Sequence, residues 1–547
     1  MTIKYTKEQL NKFDKDLLIE LFLGMQGQME ELSRQTQALN DRMQLMMEQM
    51  VLFQKNRFGR SSEKMADSEQ IRFMEVDGTI VFFNEAEAVC DLDAPEPDDL
   101  ELKAHKKKKQ PGKKAADIAG LTVKRIDHYL KEEELTAEFG ENGWKQLPDA
   151  ISRCYQFIPA SVVIEEHHIG VYSSKLDEHM IKAPHPRNLL HGSLVSPSLA
   201  AAVINGKYVN AVPLYRLEKE FERYGLAITR QNMANWMIRL GEEYLGTMYD
   251  YLHKLLYDYH VIQADETPVL VNKDGRPAGS QSYMWVYRSG FMYRDRQIIL
   301  YEYQKTRNAS HPREFLRDYT GICVTDGYQV YHTLEKEREN LKIAGCWVHC
   351  RRRFNDALEV IPKAHRKESI LHLIMKQIQA IYREEGKLSD FSTEDRLMQR
   401  QLVVKPLVDA FFAYLKQNEP KIPKNGKIRE AFTYALNQES YLKVFLEDGD
   451  VPIDNNASER AIRGFCIGKK NWEMIDTVNG ANSSAIIYSI AETAKANNLK
   501  PFDYFEYLLT EIPKHVDDKN TDFLAELLPW SDMLPENIRK PQKASGK

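Results

Sequence analysis

The stretch His260-Val-Ile-Gln-Ala-Asp-Glu-Thr-Pro-Val-Leu270 sets an acid at the end of a β-favouring apolar run. Val261 and Ile262 are β-branched, and Pro268 lacks the N–H that a central strand needs, so the pattern predicts a strand ending near Asp265. Neighbouring strand residues point to opposite faces, so Asp265 and Glu266 are not expected to enter one pocket together. A second run, Gly321-Ile-Cys-Val-Thr-Asp-Gly-Tyr328, delivers Asp326 in the same way, and Gly327 permits an abrupt exit from the strand. In a third, Ile453-Asp-Asn-Asn-Ala-Ser-Glu-Arg-Ala-Ile-Arg463, Asp454 or Asn455 is suited to cap a helix that carries Glu459 in its first or second turn. Three carboxylates from two strands and a helix form a hard-oxygen donor set for Mg²⁺ or Mn²⁺. Two such ions, about 3.5–4 Å apart, clamp the attacking and leaving oxygens of a phosphodiester displacement. Plainer readings stand beside this one. A strand-end Asp is commonly a turn residue, Glu459 with Arg463 forms an i,i+4 pair of the kind usually solvated, and among 80 acids three prove nothing by number.

Several segments carry a family likeness: Ala264-Asp-Glu-Thr-Pro268, Thr325-Asp-Gly-Tyr328, Gly345-Cys-Trp-Val-His-Cys-Arg-Arg-Arg-Phe354 and Asn455-Asn-Ala-Ser-Glu-Arg-Ala-Ile-Arg463. Gly468-Lys-Lys-Asn-Trp472 and Ala485-Ile-Ile-Tyr-Ser-Ile-Ala-Glu-Thr-Ala-Lys-Ala-Asn497 follow in the same order. Together they resemble the motifs of bacterial insertion-sequence-66-type transposases, from about Leu17 to about Pro535. The resemblance implies a ribonuclease-H-like core with an Asp-Asp-Glu triad. By position the triad falls on Asp265, Asp326 and Glu459, which would serve both catalysis and the binding of two Mg²⁺ or Mn²⁺ ions. It also implies that Cys346 and His349 lie beside the active site and position DNA, with Arg351 and Arg352 on the same helix. Related elements encode small accessory proteins, which makes such proteins expected partners.

A chain of 547 residues is expected to hold several domains and at least one large core. Its net charge of −5 argues against a uniformly basic coat, so any DNA contact must use local patches. Six scattered cysteines suggest a reducing compartment without a disulfide framework. Neither a signal peptide nor an apolar run long enough to span a bilayer is evident, so the cytoplasm is the expected location.

Taken in order, residues 1–60 read as a long helix. Leu18, Phe22, Met25, Met29, Leu32, Thr36, Leu39, Met43, Met46, Met50 and Phe53 keep heptad spacing, which predicts a coiled coil and self-association. Residues 61–125 form a linker of two halves. Glu85–Glu101 holds eight acids and no bases, and Lys103–Arg125 holds nine bases against Asp117. Lys106, Lys107, Lys108 and Lys109 in the basic half are suited to the DNA backbone through counterion release, although a solvated tether fits equally well. Residues 126–191 occupy the place of the family's zinc ribbon but keep only Cys154, so no structural zinc is expected. Strands at Tyr155–Ala160 and Val162–Ile164 over a small apolar core are expected instead.

In 192–250, the helix ending at Gly225 and a second one capped by Thr229 match a helix-turn-helix. Arg230, Gln231 and Asn232, at the start of the second helix, are types that read base edges or phosphates. The catalytic core is expected over 255–354 and 451–498, with an all-helical insertion over 355–450. That insertion fills a gap between Asp326 and Glu459 too long for one sheet crossover. Arg460, Arg463, Lys469, Lys470 and Trp472 follow Glu459 and are candidates to hold flanking phosphates and to stack on a base. Residues 499–547 read as a helical tail.

The expected fold is therefore mixed α/β and multidomain: a ribonuclease-H-like core with a helical insertion, preceded by a coiled coil and a helix-turn-helix-like DNA-binding region. The expected function is transposition, with cleavage at element ends followed by strand transfer into target DNA. Two other classes stay open at this point, a nuclease of the same fold that does not join strands and a non-catalytic DNA-binding protein.

Overall fold

The structure is a computed structural model. It describes residues 160–173, 180–184 and 187–541 (278 and 519 excepted), with the strand pair Met74–Val76 and Thr79–Val81 and a few single positions before them. The expected coiled coil, Lys106–Lys109 and Cys154 lie outside the described residues.

A mixed sheet organises the rest. Its strands are β1 (Val261–Lys273), β2 (Gln281–Ser289), β3 (Ile299–Gln304), β4 (Gly321–Thr325), β5 (Leu341–Gly345) and the short β6 (Ile475–Thr477). The spatial order is β3-β2-β1-β4-β5, and β6 pairs in parallel with the far end of β1. β1, β2 and β3 form an antiparallel meander, whereas β1, β4 and β5 run parallel.

The expectation that β1 ends near Asp265 is corrected, since the strand continues through Pro268 to Lys273. β1 pairs with β4 only as far as Gln263 and meets β6 only from Val271. Between those points one side of β1 has no neighbouring strand, so Pro268 breaks no ladder there while its other side pairs with Tyr283 of β2.

The helices used below are α1 (Pro197–Ile204), α2 (Leu214–Arg223), α3 (Arg230–Leu240), α4 (Gly246–Leu256), α5 (Gln329–Glu337), α6 (Trp347–Val360), α7 (Ile370–Gly386), α8 (Lys405–Asn418), α9 (Lys427–Asn437), α10 (Asn456–Trp472), α11 (Val478–Ala496) and α12 (Pro501–Glu511). The period-2 alternation of the parallel strands divides them between two cores. Ile262, Cys323 and Ile343 face one side, where α1–α4, α11 and α12 pack in a single continuous core. Val261, Ile322, Val324 and Ala344 face the other, which the helices between β5 and α10 cover with Phe411, Phe412, Phe432 and Phe445. The helical insertion between Asp326 and Glu459 thus forms the roof over one face of the sheet. The helix-turn-helix segment and the C-terminal helices share the core beneath the other.

The outer edge of β3 is closed by side chains rather than by another strand. Ser489 on α11 accepts from Tyr301 N at 2.7 Å, and Thr493 accepts from Ile299 N at 2.9 Å while donating back to Ile299 O at 3.0 Å. An exposed edge is otherwise a template for unwanted pairing.

Upstream, the expected strand Val162–Ile164 is absent. Val163 and Ile164 are exposed, and the pair that forms is Val171–Ser173 with Met180–Lys182. The described residues of 160–184 bury no core of their own, and their apolar side chains stay largely exposed. No helix among the described residues is long and apolar enough to cross a membrane.

Candidate active site

Asp265 and Asp326 meet through strand register. Val261 lies opposite Ile322 and Gln263 opposite Val324 on the parallel pair β1–β4, so continuing that register by two residues sets Asp265 beside Asp326. Asp326 leaves β4 at its C-terminal end, and Gly327 follows in the left-handed region at φ +87°. A Cβ there would also stand 2.9 Å from the Tyr434 hydroxyl, so both the backbone and the space call for glycine. Tyr434 of α9 donates to Asp326 O at 2.9 Å, and Asp326 Oδ1 accepts from Tyr328 N at 2.9 Å.

Glu459 comes from the first turn of α10, where the helix dipole favours a negative charge. Its Oε2 lies 3.5 Å from Arg352 Nη2, and its Oε1 is 3.9 Å from His349 Nε2, too far for a hydrogen bond. Glu459 Oε1 and His349 Nδ1 are buried without hydrogen-bond partners.

The acids act on one another's protonation. Burial first, then the charges of Glu266 and Asp326 and finally Glu459, push the Asp265 carboxyl well above the usual range. His349 is pulled below its ordinary value by burial, partly opposed by Asp326 and Glu459. Among the described residues no group of three His, Cys, Asp or Glu side chains stands ready to hold a metal ion. The donor chemistry nevertheless fits a hard divalent cation. Mutually repelling carboxylates share one neighbourhood, and one of them has an oxygen left without a partner.

Asn455, fully buried one residue before α10, ties these elements together. Its Nδ2 donates to Ala264 O at 2.8 Å, its Oδ1 accepts from Gln263 Nε2 at 3.0 Å, and its backbone N–H points to Cys346 Sγ at 3.2 Å. Asn455 is thus the N-cap residue but spends its side chain on β1, and Asp454, one residue earlier, accepts from Asn456 N through Oδ1 at 3.1 Å.

Glu266 keeps to the face opposite Asp265, as alternation requires, and its charge bears on the buried Tyr287 and Tyr331 there. Its carboxyl group is nevertheless bound by Arg307, which also approaches Asp326 at 3.9 Å, and its charge is among the largest influences on Asp265. Gln263, Arg307 and Tyr434 were not marked out by sequence, while Glu266 and Asn455 were named only as an off-face neighbour and a candidate cap. A polar Gln inside an apolar strand was a signal, whereas Arg307 lies in a loop and carried none. A cavity of about 730 Å³ opens beside Asp326 between α6 and α9, lined by Arg353, Lys424, Arg429, Tyr434 and Gln438 among others.

The remaining expected residues fall in different places. Arg352 and His349 stand at Glu459. Arg351 lies over the Tyr382 ring at 5.9 Å. Arg460 is exposed next to Glu459 and lies over Phe291 at 5.5 Å. Arg463, Lys469, Lys470 and Trp472 extend along α10 away from the acids, with Arg463 and Lys470 exposed. Lys469 donates to Pro268 O. The Trp472 ring packs on Gly468 and under Lys207, so it is half-buried rather than open for stacking. Arg230, Gln231 and Asn232 are exposed together at the start of α3. Asn232 is already engaged, since its Oδ1 accepts from Thr229 N and Oγ1 in a capping box.

Comparison with known proteins gives a consistent picture. The model of the IS66 transposase family matches residues 192–483, that of the IS66 C-terminal element matches 489–530, and one described as transposase C of IS166 homeodomain matches 45–126. An uncharacterized protein, y4qI, of Sinorhizobium fredii (strain NBRC 101917 / NGR234) is 28% identical over 369 residues, covering 66% of this chain and 67% of that protein. A second uncharacterized protein of the same strain, y4jD, is 24% identical over 433 residues, covering 76% and 82%.

Proposed function

The chain belongs to the IS66 transposase family, and on that premise we propose that it is a metal-dependent DNA transposase built on a ribonuclease-H-like core. The observation that carries this reading is the register of β1 and β4, which sets Asp265 against Asp326 with Glu459 arriving from α10. The β3-β2-β1-β4-β5 order supports the core assignment, with three antiparallel strands and then two parallel ones.

Asp265, Asp326 and Glu459 would hold two Mg²⁺ or Mn²⁺ ions. When bound, these ions supply Lewis acidity and a water deprotonated near neutral pH. Burial and the charges of Glu266 and Asp326 hold the Asp265 carboxyl well above its usual range, and a bound cation would offset that repulsion. Arg352, 3.5 Å from Glu459 Oε2, would orient that carboxylate, and His349 lies beside it at 3.9 Å, within reach of DNA. Arg460, exposed beside Glu459, is placed for the phosphates flanking the cut. Water attacks the phosphodiester at the element end, and the freed 3′-hydroxyl then attacks target DNA by transesterification. Arg230 and Gln231 on α3 contact DNA away from the cut. Assembly through the N-terminal helix, DNA contact by Lys106–Lys109 and work with small accessory proteins complete the proposal.

The test is joining of labelled element ends by the purified chain in Mg²⁺ or Mn²⁺. Asp265→Asn, Asp326→Asn and Glu459→Gln are each expected to abolish both cleavage and joining. Cleavage that never proceeds to joined product would instead identify a nuclease. Activity retained in all three variants would end the metal reading.

A further inference from the structure

Arg307 sits in the loop after β3, yet Glu266, the Tyr328 ring and Asp326 hold its guanidinium at the acid cluster. Nε donates to Glu266 Oε1 at 2.7 Å, and Nη2 reaches the same oxygen. The guanidinium carbon lies 3.7 Å over the Tyr328 ring, and the Tyr328 hydroxyl in turn donates to Arg307 O at 2.7 Å. The second acid, Asp326, is 3.9 Å from Nη2, close enough for attraction but not for a hydrogen bond.

The counter-ion explains why this arrangement is more than a surface pair. The Glu266 side chain is 2% exposed, while that of Arg307 is 37% exposed. Glu266 offers Oε1 to Arg307 while its Oε2 stays buried without a partner, so a buried acid is committed to orienting a half-open cation. Among the described residues Nη1 has no acceptor, and it is the open part of the fork. A planar guanidinium presents paired N–H groups that match phosphate oxygens, and aromatic stacking fixes its plane in advance. A phosphodiester entering beside Asp326 would meet several acids, and this cation is held where that charge arrives.

We propose that Arg307 is a substrate-contacting residue that hydrogen-bonds a non-bridging oxygen of the phosphodiester cut beside Asp326, with Glu266 and Tyr328 as its positioning residues. The proposal rests on the transposase reading and adds a DNA-phosphate ligand to it.

The test uses the full chain and supercoiled plasmid DNA, whose nicking in Mn²⁺ is followed by gel, with Mn²⁺ binding measured separately by calorimetry. Arg307→Gln is expected to lower kcat by about 100-fold or more while leaving KM for DNA within about two-fold. Arg307→Lys recovers only part of the loss, and added methylguanidinium partly restores Arg307→Ala. Glu266→Gln, which frees the cation, lowers kcat less than Arg307→Gln. The proposal is overturned if Arg307→Gln keeps kcat within about three-fold of the parent while Asp326→Asn is inactive. It is equally overturned if Arg307→Gln only tightens Mn²⁺ binding with turnover unchanged, since the arginine would then be a simple counter-ion. Failure of the unaltered chain to nick, or nicking by Asp326→Asn at the parental rate, instead removes the transposase reading itself.

Discussion

The side-chain amide of Asn455 donates to the backbone carbonyl of Ala264 across 2.8 Å, one residue before Asp265. Glu459 lies one helical turn beyond Asn455, so this bond joins the strand of the first acid to the helix of the third. Gln263 completes the junction from the strand side, donating to Asn455 Oδ1 and accepting from Phe291 N at 2.9 Å. Gln263, Ala264 and Asn455 are fully buried, so the junction aligns the carboxylates by obligatory pairing rather than by surface attraction.

Asn455→Ala is therefore expected to leave the Ala264 carbonyl unpaired and the Gln263 amide with only its longer bond to Asp454 O at 3.3 Å. The orphaned carbonyl costs about 1–3 kcal/mol, read as a lower urea midpoint. Turnover should fall further than stability alone accounts for, since Glu459 loses its alignment with Asp265. A variant with parental strand-joining activity would sink this account of the junction.

Glu266 gives the metal-free protein a pH signature. Burial first and Asp326 second raise its carboxyl to about 7, against the opposing pull of Arg307. The fold thus favours the protonated acid. Its contribution is fully present below the unfolded value of about 4.5 and is lost as pH rises through about 7. Thermal midpoints in EDTA should fall across that window, and Glu266→Gln should flatten the slope in part. Glu302, raised to about 7 chiefly by burial, titrates over the same range and accounts for some of what remains. A Glu266→Gln profile parallel to the parent's would contradict the assignment.

Arg400 pins the helical insertion. Its side chain is 1% exposed, and it binds Glu385 together with the backbone carbonyls of Phe445 (2.8 Å) and Asp448 (2.6 Å). Arg400→Met removes one half of a buried ion pair and strands Glu385, a change that costs about 3–5 kcal/mol. Differential hydrogen exchange should show α7 and α8 opening while β1–β3 stay protected. Uniform protection would mean the insertion is held elsewhere.

The start of α3 separates DNA contact from helix capping. Arg230→Ala is expected to weaken binding to duplex DNA and to reduce the slope of log affinity against log salt by about 1. Thr229→Ala removes the side chain that accepts from Asn232 N at 3.1 Å and should cost about 1 kcal/mol of stability with the salt slope unchanged. Equal salt slopes for Arg230→Ala and the parent would place DNA elsewhere on the molecule.

What could be read along the chain was what local chemistry decides. The β-branched runs before Asp265 and Asp326 form strands, Gly327 turns the chain out of one of them, and Thr229 caps α3, because each depends on a few adjacent residues. The long separation of Asp326 from Glu459 likewise announced the helical insertion. Tertiary structure decided the rest. β1 runs on through Pro268 because its neighbour on that side stops at Gln263, which no property of the proline discloses. Glu266 is linked to the acids because a loop arginine distant in sequence binds it and also approaches Asp326, and Trp472 is covered because Gly468 and Lys207 leave it that place. Such outcomes belong to pairs of residues far apart in the chain, whose hydrogen bonds and packing exist only after the sheet and its two helical layers have closed.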